Sequence, residues 1–219
     1  MSAEREKDLA ARVAAGLVED GMRVGLGTGS TVARLLPALA ARQLDVRCVS
    51  TSPATEKAAR DLGMSIEPFS GTGALSRLDI AIDGADQVAP SAWLVKGGGA
   101  AHTREKAVAA AADRFVVIVS SDKLVERLSP PVPLELAEFG LSATLRRLGT
   151  VRLRDVPRSP DGGVIADYTA DFDDPEELAR RLADTVGVVE HGLFPAAMVA
   201  QAVIAQGEQV EIRDVTGEA

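Results

Sequence analysis

The chain has 219 residues, 46% of them hydrophobic, which is enough to bury one sizeable core or the cores of two closely joined domains. Its formal net charge is −8, and only 3% of its residues are aromatic. Because nucleic acids are bound by basic patches and stacking rings, this composition argues against a nucleic-acid partner. The composition is neither that of a disordered chain nor that of a fibrous one.

The amino terminus, MSAEREKDLAARVAAGLVEDG, has the pattern of a charged amphipathic helix that ends at Gly21. This pattern differs from that of a signal peptide, which needs an apolar stretch and a cleavage site. We therefore expect a cytoplasmic protein that does not use a membrane as a partner.

Residues 23–33, RVGLGTGSTVA, predict a short strand, a glycine-rich turn and a helix that continues through Leu39. The turn does not fit the dinucleotide motif GxGxxG, because Ser30 stands where the third glycine is needed. It does not fit a P-loop either, because Ser30 rather than a lysine precedes Thr31. A helix N-terminus with free hydroxyls remains, and it suits one phosphate monoester. The predicted binding residues are Thr28, Gly29, Ser30 and Thr31; an ordinary strand-to-helix turn is the alternative.

Residues 78–88, LDIAIDGADQV, predict an apolar strand that ends in two acids, Asp83 and Asp86, on either side of Gly84 and Ala85. At the carboxyl edge of a sheet, both carboxylates can exchange protons with a hydroxyl or a ring oxygen. Asp is also a common turn residue, and for Asp86 alone the pattern favours that simpler interpretation.

Residues 96–106, KGGGAAHTREK, place Lys96 and the glycines Gly97, Gly98 and Gly99 directly before a helix. We predict that this helix runs from Arg104 to about Ala112, with Thr103 as its cap and Glu105 in its first turn. Three consecutive glycines suit close approach of the backbone to a ligand, and a helix start suits an anion. A flexible loop before a capped helix is the alternative, but a second glycine cluster at residues 25–29 favours a binding site.

The remaining reactive side chains, one cysteine and two histidines, give little indication of function. The single cysteine, Cys48, follows the alternating segment LDVRCVS and is expected to be buried rather than nucleophilic. His102 and His191 are far apart in sequence and lack a metal-ligand motif, so we expect no metal. We expect His102 to be a loop residue that faces solvent.

The predicted fold is α/β. Apolar segments at 23–27, 45–50, 78–83 and 115–120 alternate with helical patterns, which indicates a Rossmann-like, mostly parallel sheet with ligands at the carboxyl ends of its strands. Residues 1–128 and 200–219 are expected to form this domain, since the last segment predicts two strands around Gly207 that rejoin the sheet.

The prolines Pro130, Pro131 and Pro133 mark the start of a smaller domain over residues 129–199. The predicted order there is strand 132–136, helix 139–148, strands 150–156 and 163–169, helix 175–186 and strand 187–193. This order is the split βαβ pattern of a ferredoxin-like α+β domain, with the turn SPDGG at its central hairpin. We expect this domain to act as a lid or an oligomer contact.

Five segments occur in the order and spacing of ribose-5-phosphate isomerase type A: GLGTGSTV, STSPATEKAARDLGM, AIDGADQV, LVKGGGAAHTREK and VGVVEHGLF. The chain resembles that family over roughly residues 5–213. The resemblance implies an aldose–ketose isomerase of the non-oxidative pentose phosphate pathway, which interconverts ribose 5-phosphate and ribulose 5-phosphate with neither a metal nor an organic cofactor. It also suggests a homodimer or a homotetramer.

The resemblance further implies roles for individual residues. Glu105 matches the base that transfers the proton, and Lys96 matches the lysine at the substrate oxygens. Asp83 and Asp86 match the acids at the sugar hydroxyls and the ring-opening step. Lys123, in VSSDKLV, and the 28–31 loop match substrate-binding positions. The chemistry agrees, because an enediolate needs one base facing two carbons and a cation beside the developing oxygen charge. Lys7, Arg104 and Lys106 are possible further cations.

Three departures from the family pattern bear on substrate preference. The family usually reads DGADE where this chain has Gln87, and KGGGGALTREK where it has Ala100 and His102. Two alternatives to the ribose 5-phosphate reaction follow. One is an isomerase of another phosphosugar, which would keep Glu105 and Lys96. The other is a noncatalytic sugar-phosphate sensor, which would bind a pentose phosphate without turnover; against it, the chain has no separate output module such as a helix-turn-helix.

Overall fold

The computed structural model describes residues 2–215, and within them the strands form three sheets. The helices are α1 (Ala3–Ala15), α2 (Ser30–Ala40), α3 (Pro53–Asp61), α4 (His102–Ala110), α5 (Leu141–Leu148) and α6 (Pro175–Ala183). The strands are β1 (Arg23–Leu26), β2 (Arg47–Ser50), β3 (Ile80–Asp83), β4 (Gln87–Val88), β5 (Leu94–Val95), β6 (Phe115–Ser120), β7 (Val132–Leu136), β8 (Val151–Leu153), β9 (Val164–Tyr168), β10 (Val188–His191), β11 (Leu193–Phe194), β12 (Gln201–Gln206) and β13 (Gln209–Asp214). Short 3₁₀ turns cover Ser121–Lys123 and Ala196–Met198.

The largest sheet has six strands in the order β13-β12-β6-β3-β1-β2. Every neighbouring pair is parallel except the hairpin of β12 and β13, which turns at Gly207. The predicted mostly parallel sheet and the return of the last two strands to it are therefore confirmed. β3 and β6 are buried along their whole length, as expected for central parallel strands covered on both faces. Leu26 pairs with Ile82, so β1 and β3 end side by side at one edge of the sheet.

A second sheet has four antiparallel strands in the order β10-β7-β9-β8. Counted within this unit, the order is fourth, first, third, second, with α5 and α6 in the two crossovers, which confirms the predicted ferredoxin-like pattern. Val132, Leu134 and Leu136 alternate onto the face that packs against Leu178 and Leu182 of α6. The sheet lies within residues 129–199, while the proposed domain boundaries stay a prediction.

The sequence patterns did not predict the third sheet, which consists of the two-residue strands β4, β5 and β11. Strands this short show no periodicity. Because β11 follows the ferredoxin-like unit and pairs with β5, which directly precedes Lys96, this sheet ties that unit to the glycine segment.

Several element ends differ from the predictions. α1 ends at Ala15, because Gly16 and the following residues form tighter turns, and the φ of +81° at Gly21 belongs to a separate turn. α6 ends at Ala183 and β8 at Leu153, earlier than expected. Within residues 2–215, no helix combines the length and the apolar character needed to cross a membrane.

Candidate active site

A cavity of about 110 Å³ lies where β1, β3 and β6 of the large sheet reach their carboxyl ends. Its lining residues come from four separate segments of the chain: Thr28, Gly29, Ser30, Thr31, Gly84, Ala85, Asp86, Lys96, Gly97, Gly98, Gly99, Glu105 and Lys123. All of them belong to the predicted set of site residues. The remaining predicted residue, Asp83, is buried and bonded to Thr28 and Lys96 of the lining. The structure therefore brings the predicted residues together, while their roles stay a prediction.

Asp83 ends β3 and is fixed by three hydrogen bonds. Its Oδ1 accepts from the backbone N–H groups of Thr28, at 3.0 Å, and Gly84, at 2.7 Å. Its Oδ2 accepts from Lys96 Nζ at 2.9 Å. A Cβ atom on Gly27 would lie 1.9 Å from the Asp83 carboxyl carbon, so only glycine allows β1 to pass this acid. Burial raises the pKa of Asp83, although Lys96 opposes the shift.

Lys96 is the central cation of the site and is only 2% exposed. Besides Asp83, its ammonium donates to the Gly84 carbonyl oxygen at 2.7 Å and lies 3.0 Å from Glu105 Oε2. It also lies 5.3 Å from the centroid of the Phe194 ring. Burial favours the neutral amine, but the carboxylates of Asp83 and Glu105 together hold the pKa of Lys96 above its usual value. Lys96 therefore presents a permanent positive charge to the cavity.

Glu105 lies in the first turn of α4 and is 5% exposed. Its Oε2 is close enough to Lys96 Nζ for an ion pair, but the contact lacks the alignment of a hydrogen bond, and no other described residue donates to this oxygen. Burial and the negative charge of Asp83 raise the pKa of Glu105 to about 7, against the opposing effect of Lys96. The sequence did not show whether the helix N-terminus, which lowers the pKa of Glu105, or desolvation, which raises it, has the larger effect. In the structure desolvation outweighs the stabilisation of the charge, and the carboxylate is poised to exchange protons near neutral pH.

The N-terminus of α2 forms another part of the cavity lining. The first helical hydrogen bond is donated by Ala33 to the Gly29 carbonyl, at 2.9 Å, so the N–H groups of the preceding turn have no helical acceptor. The hydroxyls of Ser30 and Thr31 stand at this terminus, and Lys123 reaches the cavity from the turn after β6. Free N–H groups, hydroxyls and one ammonium together suit a phosphate dianion.

The glycine segment closes one side of the cavity. The exposed Asp86 accepts a hydrogen bond from the Gly98 N–H at 2.7 Å, which joins the two predicted clusters directly. Gly97 has a φ of +102°, and a Cβ atom there would lie 2.7 Å from the ring of His102. Ala100, where the related family usually has glycine, has a φ of +61°, a conformation that costs an alanine roughly 1–2 kcal/mol.

Two predictions about the start of α4 are wrong. The helix begins at His102 rather than Arg104, and Thr103 is not its cap, because the Thr103 hydroxyl donates to Glu135 of β7 instead. His102 does not face solvent either: its side chain is wholly buried beneath Gly97. Neither ring nitrogen has a well-aligned hydrogen bond to any described residue, although the Glu190 main chain lies close enough to oppose slightly the lowered pKa. Burial, together with the charge of Lys106, lowers the pKa of His102 to about 4, so the ring is neutral at physiological pH.

The possible additional cations have partners elsewhere. Arg104 forms a two-pronged ion pair with Asp161, with distances of 2.7 and 2.8 Å. Lys106 donates to Glu190 Oε1 at 2.6 Å. Lys7 pairs with Glu4 at 2.7 Å. None of the three lines the cavity, which leaves Lys96 and Lys123 as its cations.

Gln87 also lies outside the cavity lining. Its side-chain amide donates to the Ser129 carbonyl and accepts from the Ser129 N–H, both at 2.9 Å. Both ends of the amide are thus committed to the backbone that leads into the ferredoxin-like unit. Gln87 therefore has a structural partner, and its position gives no reason to expect an altered substrate.

Cys48 is wholly buried, as predicted, and burial raises the pKa of its thiol to about 12, which makes it a poor nucleophile. Within residues 2–215, no group of three or more His, Cys, Asp or Glu side chains is arranged to hold a metal ion.

Sequence reasoning missed Arg154, which follows β8 and donates to the carbonyls of Gly97 and Gly98 from the ferredoxin-like unit. It also lines a larger, open cavity of about 970 Å³ that shares Thr28, Gly98 and Gly99 with the smaller one. No motif spacing connects Arg154 with residues more than fifty positions earlier in the chain, so only the fold reveals the contact.

Comparison with known proteins agrees with this geometry. Residues 47–209 match the family model of ribose 5-phosphate isomerase A (phosphoriboisomerase A). Ribose-5-phosphate isomerase A of Caulobacter sp. (strain K31) is 44% identical over 209 residues, covering 89% of this chain and 91% of the relative. The crystal structure of ribose 5 phosphate isomerase A from Neisseria gonorrhoeae superposes with a TM-score of 0.91 at 29% identity, covering 99% of both chains. The corresponding structure from Methanocaldococcus jannaschii gives 0.88 at 33% identity, covering 97% of this chain and 100% of that one. The chain belongs to the ribose 5-phosphate isomerase A family.

Proposed function

We propose that the protein interconverts D-ribose 5-phosphate and D-ribulose 5-phosphate through an enediolate. The observation that carries this proposal is the pair formed by Glu105, a buried carboxylate with a pKa of about 7, and the ammonium of Lys96, 3.0 Å away. The family membership and the names of the relatives support the same substrate.

The phosphate end of the substrate binds at the N-terminus of α2. The hydroxyls of Ser30 and Thr31 and the unpaired N–H groups of that turn donate to its oxygens, and Lys123 balances its charge. The cavity of about 110 Å³ adjoins the larger open cavity through the shared residues Thr28, Gly98 and Gly99. Thr28, Gly29, Gly84, Ala85 and the glycines Gly97 to Gly99 surround the sugar.

The sugar arrives mostly as a closed ring, which must open before its carbonyl can react. Opening removes a proton from the C1 hydroxyl and delivers one to the ring oxygen as the C1–O bond breaks. We assign this exchange to the acid pair: Asp86 lines the cavity, and Asp83 adjoins it through its hydrogen bond with Lys96.

Isomerisation then moves one proton between neighbouring carbons and one between their oxygens. Glu105 removes the proton from C2, and the C1 carbonyl oxygen takes up the electron pair as the enediolate forms. The hydroxyl proton of O2 passes to O1, and the Glu105 carboxyl returns the first proton to C1 while O2 becomes the ketone. Lys96 stabilises the negative oxygen, because its charge is held in place before the reaction begins.

The wider setting of the enzyme also belongs to the proposal. We expect a cytoplasmic homodimer or homotetramer in which the ferredoxin-like unit, residues 129–199, serves as a lid or as an oligomer contact. The hydrogen bonds that join this unit to the glycine segment support a role for it beside the site, and family membership supports the oligomer. Light scattering during size-exclusion chromatography measures the assembly directly, and a monomer at micromolar concentration would contradict it.

The test is to assay purified protein in the presence of a metal chelator. Three substrates are compared: ribose 5-phosphate, its C2 epimer arabinose 5-phosphate, and glucose 6-phosphate. We expect ketose formation from ribose 5-phosphate with a kcat/KM roughly 10²-fold or more above the others, because hydroxyl contacts discriminate strongly. Turnover of another aldose phosphate alone would indicate a sister isomerase. Binding of pentose phosphates without any turnover would indicate a sensor.

A further inference from the structure

Arg154 spans two parts of the molecule. It follows β8 of the four-stranded sheet, yet its Nη1 donates to the Gly97 carbonyl at 2.9 Å and to the Gly98 carbonyl at 3.1 Å. Its side chain is 16% exposed, so these bonds are largely shielded from water. A charged donor on two successive carbonyls holds them more firmly than a neutral contact does.

The guanidinium is itself held in one orientation. Its Nε and Nη2 donate to Asp167 Oδ1 of β9, at 3.0 and 2.6 Å. Asp167 is 3% exposed, and although burial disfavours its charged form, Arg154 and Arg152 hold its pKa below the usual value. Arg152 donates to the same carboxylate, at 3.3 Å, but makes no hydrogen bond to the glycine segment within residues 2–215. Two arginines therefore bind the Asp167 carboxylate, and of these two Arg154 is the one that also donates to the glycine carbonyls.

The peptide group between Gly97 and Gly98 is bound from both sides. Its N–H donates to Asp86 at 2.7 Å, and its carbonyl accepts from Arg154 at 2.9 Å. In a trans peptide these two groups point in opposite directions, so the two contacts fix the plane of the peptide. Consecutive glycines otherwise sample many backbone conformations, and ordering each residue costs roughly 1–2 kcal/mol.

We propose that Arg154 is a positioning residue for the isomerase reaction: from the ferredoxin-like unit, it orders the Gly97–Gly99 backbone that forms one wall of the cavity and holds Asp86. It acts through the peptide groups and does not line the small cavity. This inference rests on the proposed function, which it deepens by assigning the smaller unit a direct part in shaping the site.

The first test compares Arg154→Ala with Arg152→Ala. We expect Arg154→Ala to lower the kcat for ribose 5-phosphate by about 10- to 100-fold, with a smaller change in KM, because displacements of this kind act on the reacting geometry. Millimolar guanidinium should restore part of that kcat. Arg152→Ala should keep a kcat close to that of the parent. Equal kcat values for both variants and the parent would overturn the inference.

A second variant separates positioning from folding, because Arg154→Ala leaves Asp167 buried without its closest cation. Arg154→Met combined with Asp167→Leu removes both charges and keeps the volume, so this variant should fold. Its kcat should stay low if the glycine carbonyls need their donor. A folded double variant with the parent kcat would show that Arg154 only stabilises the unit.

Amide hydrogen exchange over residues 96–101, measured on the same proteins, gives an answer that does not depend on the reaction. We expect faster exchange in Arg154→Ala than in Arg152→Ala and the parent, and equal exchange would overturn the inference. If the parent itself does not turn over ribose 5-phosphate, the proposed function fails, while the exchange data still decide whether Arg154 orders the segment.

Discussion

Two glutamates in this protein have almost the same solvent exposure, yet their pKa values are shifted in opposite directions. Glu6 of α1 is 6% exposed and Glu105 of α4 is 5% exposed. Glu6 accepts from the Gly207 N–H at 2.8 Å, the Ser121 N–H at 2.9 Å and the Ser121 hydroxyl at 2.8 Å. These bonds hold the pKa of Glu6 below its usual value, whereas burial and Asp83 raise that of Glu105 to about 7.

The difference shows that fixed donors and depth of burial together decide whether a shielded acid stays charged: burial is the largest cause of the raised pKa of Glu105 and only a lesser, opposing one for Glu6. Glu6 closes a structural junction between α1, the turn after β6 and the last hairpin, and each of its oxygens has a donor. Glu105 lines the cavity with one oxygen that lacks an aligned donor among the described residues. An acid that the fold leaves incompletely paired beside a cavity is suited to take up a proton from a ligand.

The largest effect expected is that of Glu105→Gln. The amide keeps the shape of the side chain but cannot accept the C2 proton, so kcat should fall by about 10²- to 10⁴-fold. Calorimetric binding of ribose 5-phosphate should change little. Glu6→Gln is the matched control and should retain kcat within a few-fold. A Glu105→Gln enzyme with near-normal turnover would remove Glu105 from the mechanism.

Removing the partner of Glu105 should come next in size. Lys96→Met leaves two buried carboxylates, Asp83 and Glu105, without their shared cation, and it removes the charge that faces the enediolate. We expect kcat to fall by about 10²- to 10³-fold. The pH–rate profile of the remaining activity should move to higher pH, since the pKa of Glu105 would rise further. An unshifted profile would contradict the coupling between the two residues.

The pH dependence of the parent enzyme tests the same contrast without mutation. Below the pKa of about 7, Glu105 is protonated, so kcat/KM should fall by about tenfold for each pH unit. A flat profile between pH 5 and 7 would contradict a raised pKa.

The two glutamates should also affect stability in opposite directions. A raised native pKa means that the contribution of Glu105 is fully present below pH 4.5, the unfolded-state value, and is lost as the pH rises through about 7. The lowered pKa of Glu6 means that its contribution is present above 4.5 and is lost as the pH falls through the native value. Urea unfolding of the parent, Glu105→Gln and Glu6→Gln across this pH range measures how each glutamate changes the pH dependence of the free energy of unfolding.

Glu6→Ala should reduce stability while leaving the chemistry intact. It leaves the N–H groups of Ser121 and Gly207 without their acceptor, which we expect to lower the free energy of unfolding by about 2–3 kcal/mol. Glu4→Ala, on the exposed part of the same helix, should change it little. If both variants have the same midpoint in urea, the junction does not contribute to stability.

The smallest effect extends the comparison to a third buried group. His102 is wholly buried without an aligned partner, so replacing it with leucine, the residue the family usually has, should raise the free energy of unfolding by about 1–2 kcal/mol. Thermal unfolding of His102→Leu and of the conservative His102→Gln would measure it. A loss of stability in His102→Leu would show that the imidazole makes a hydrogen bond, with the Glu190 main chain as the nearest candidate.

Much of the fold was predictable because it depends on local patterns. FVVIVS at 115–120 and VPLEL at 132–136 were predicted to the residue, since a contiguous apolar run and an alternation of apolar residues both mark strands. The end of α1 was missed because charged residues continue the helical pattern beyond Ala15. The strands β4, β5 and β11 are too short to leave a pattern and exist only through their pairing.

The candidate site likewise has features that local sequence patterns predict and features that only contacts between distant segments determine. Thr28 to Thr31, Asp83, Lys96 and Glu105 were identified from glycine spacing, acids at a strand end and the family resemblance. The burial of His102 could not be predicted, because it depends on how closely Gly97 passes over the ring. The pKa of Glu105 could not be predicted either, because opposing contributions from burial, Asp83 and Lys96 depend on distances between separate segments.

The sequence by itself determined the order of the main elements, the two larger sheets, the family and which side chains are candidates for the chemistry, because each of these leaves a signal within a short stretch of chain. Only the tertiary structure decided which of two glutamates of similar solvent exposure has the raised pKa, that Gln87 and His102 lie outside the cavity lining, and that Arg154 reaches the glycine segment. Hydrogen-bond partners and desolvation are set by contacts between residues far apart in the chain, and no local pattern records them.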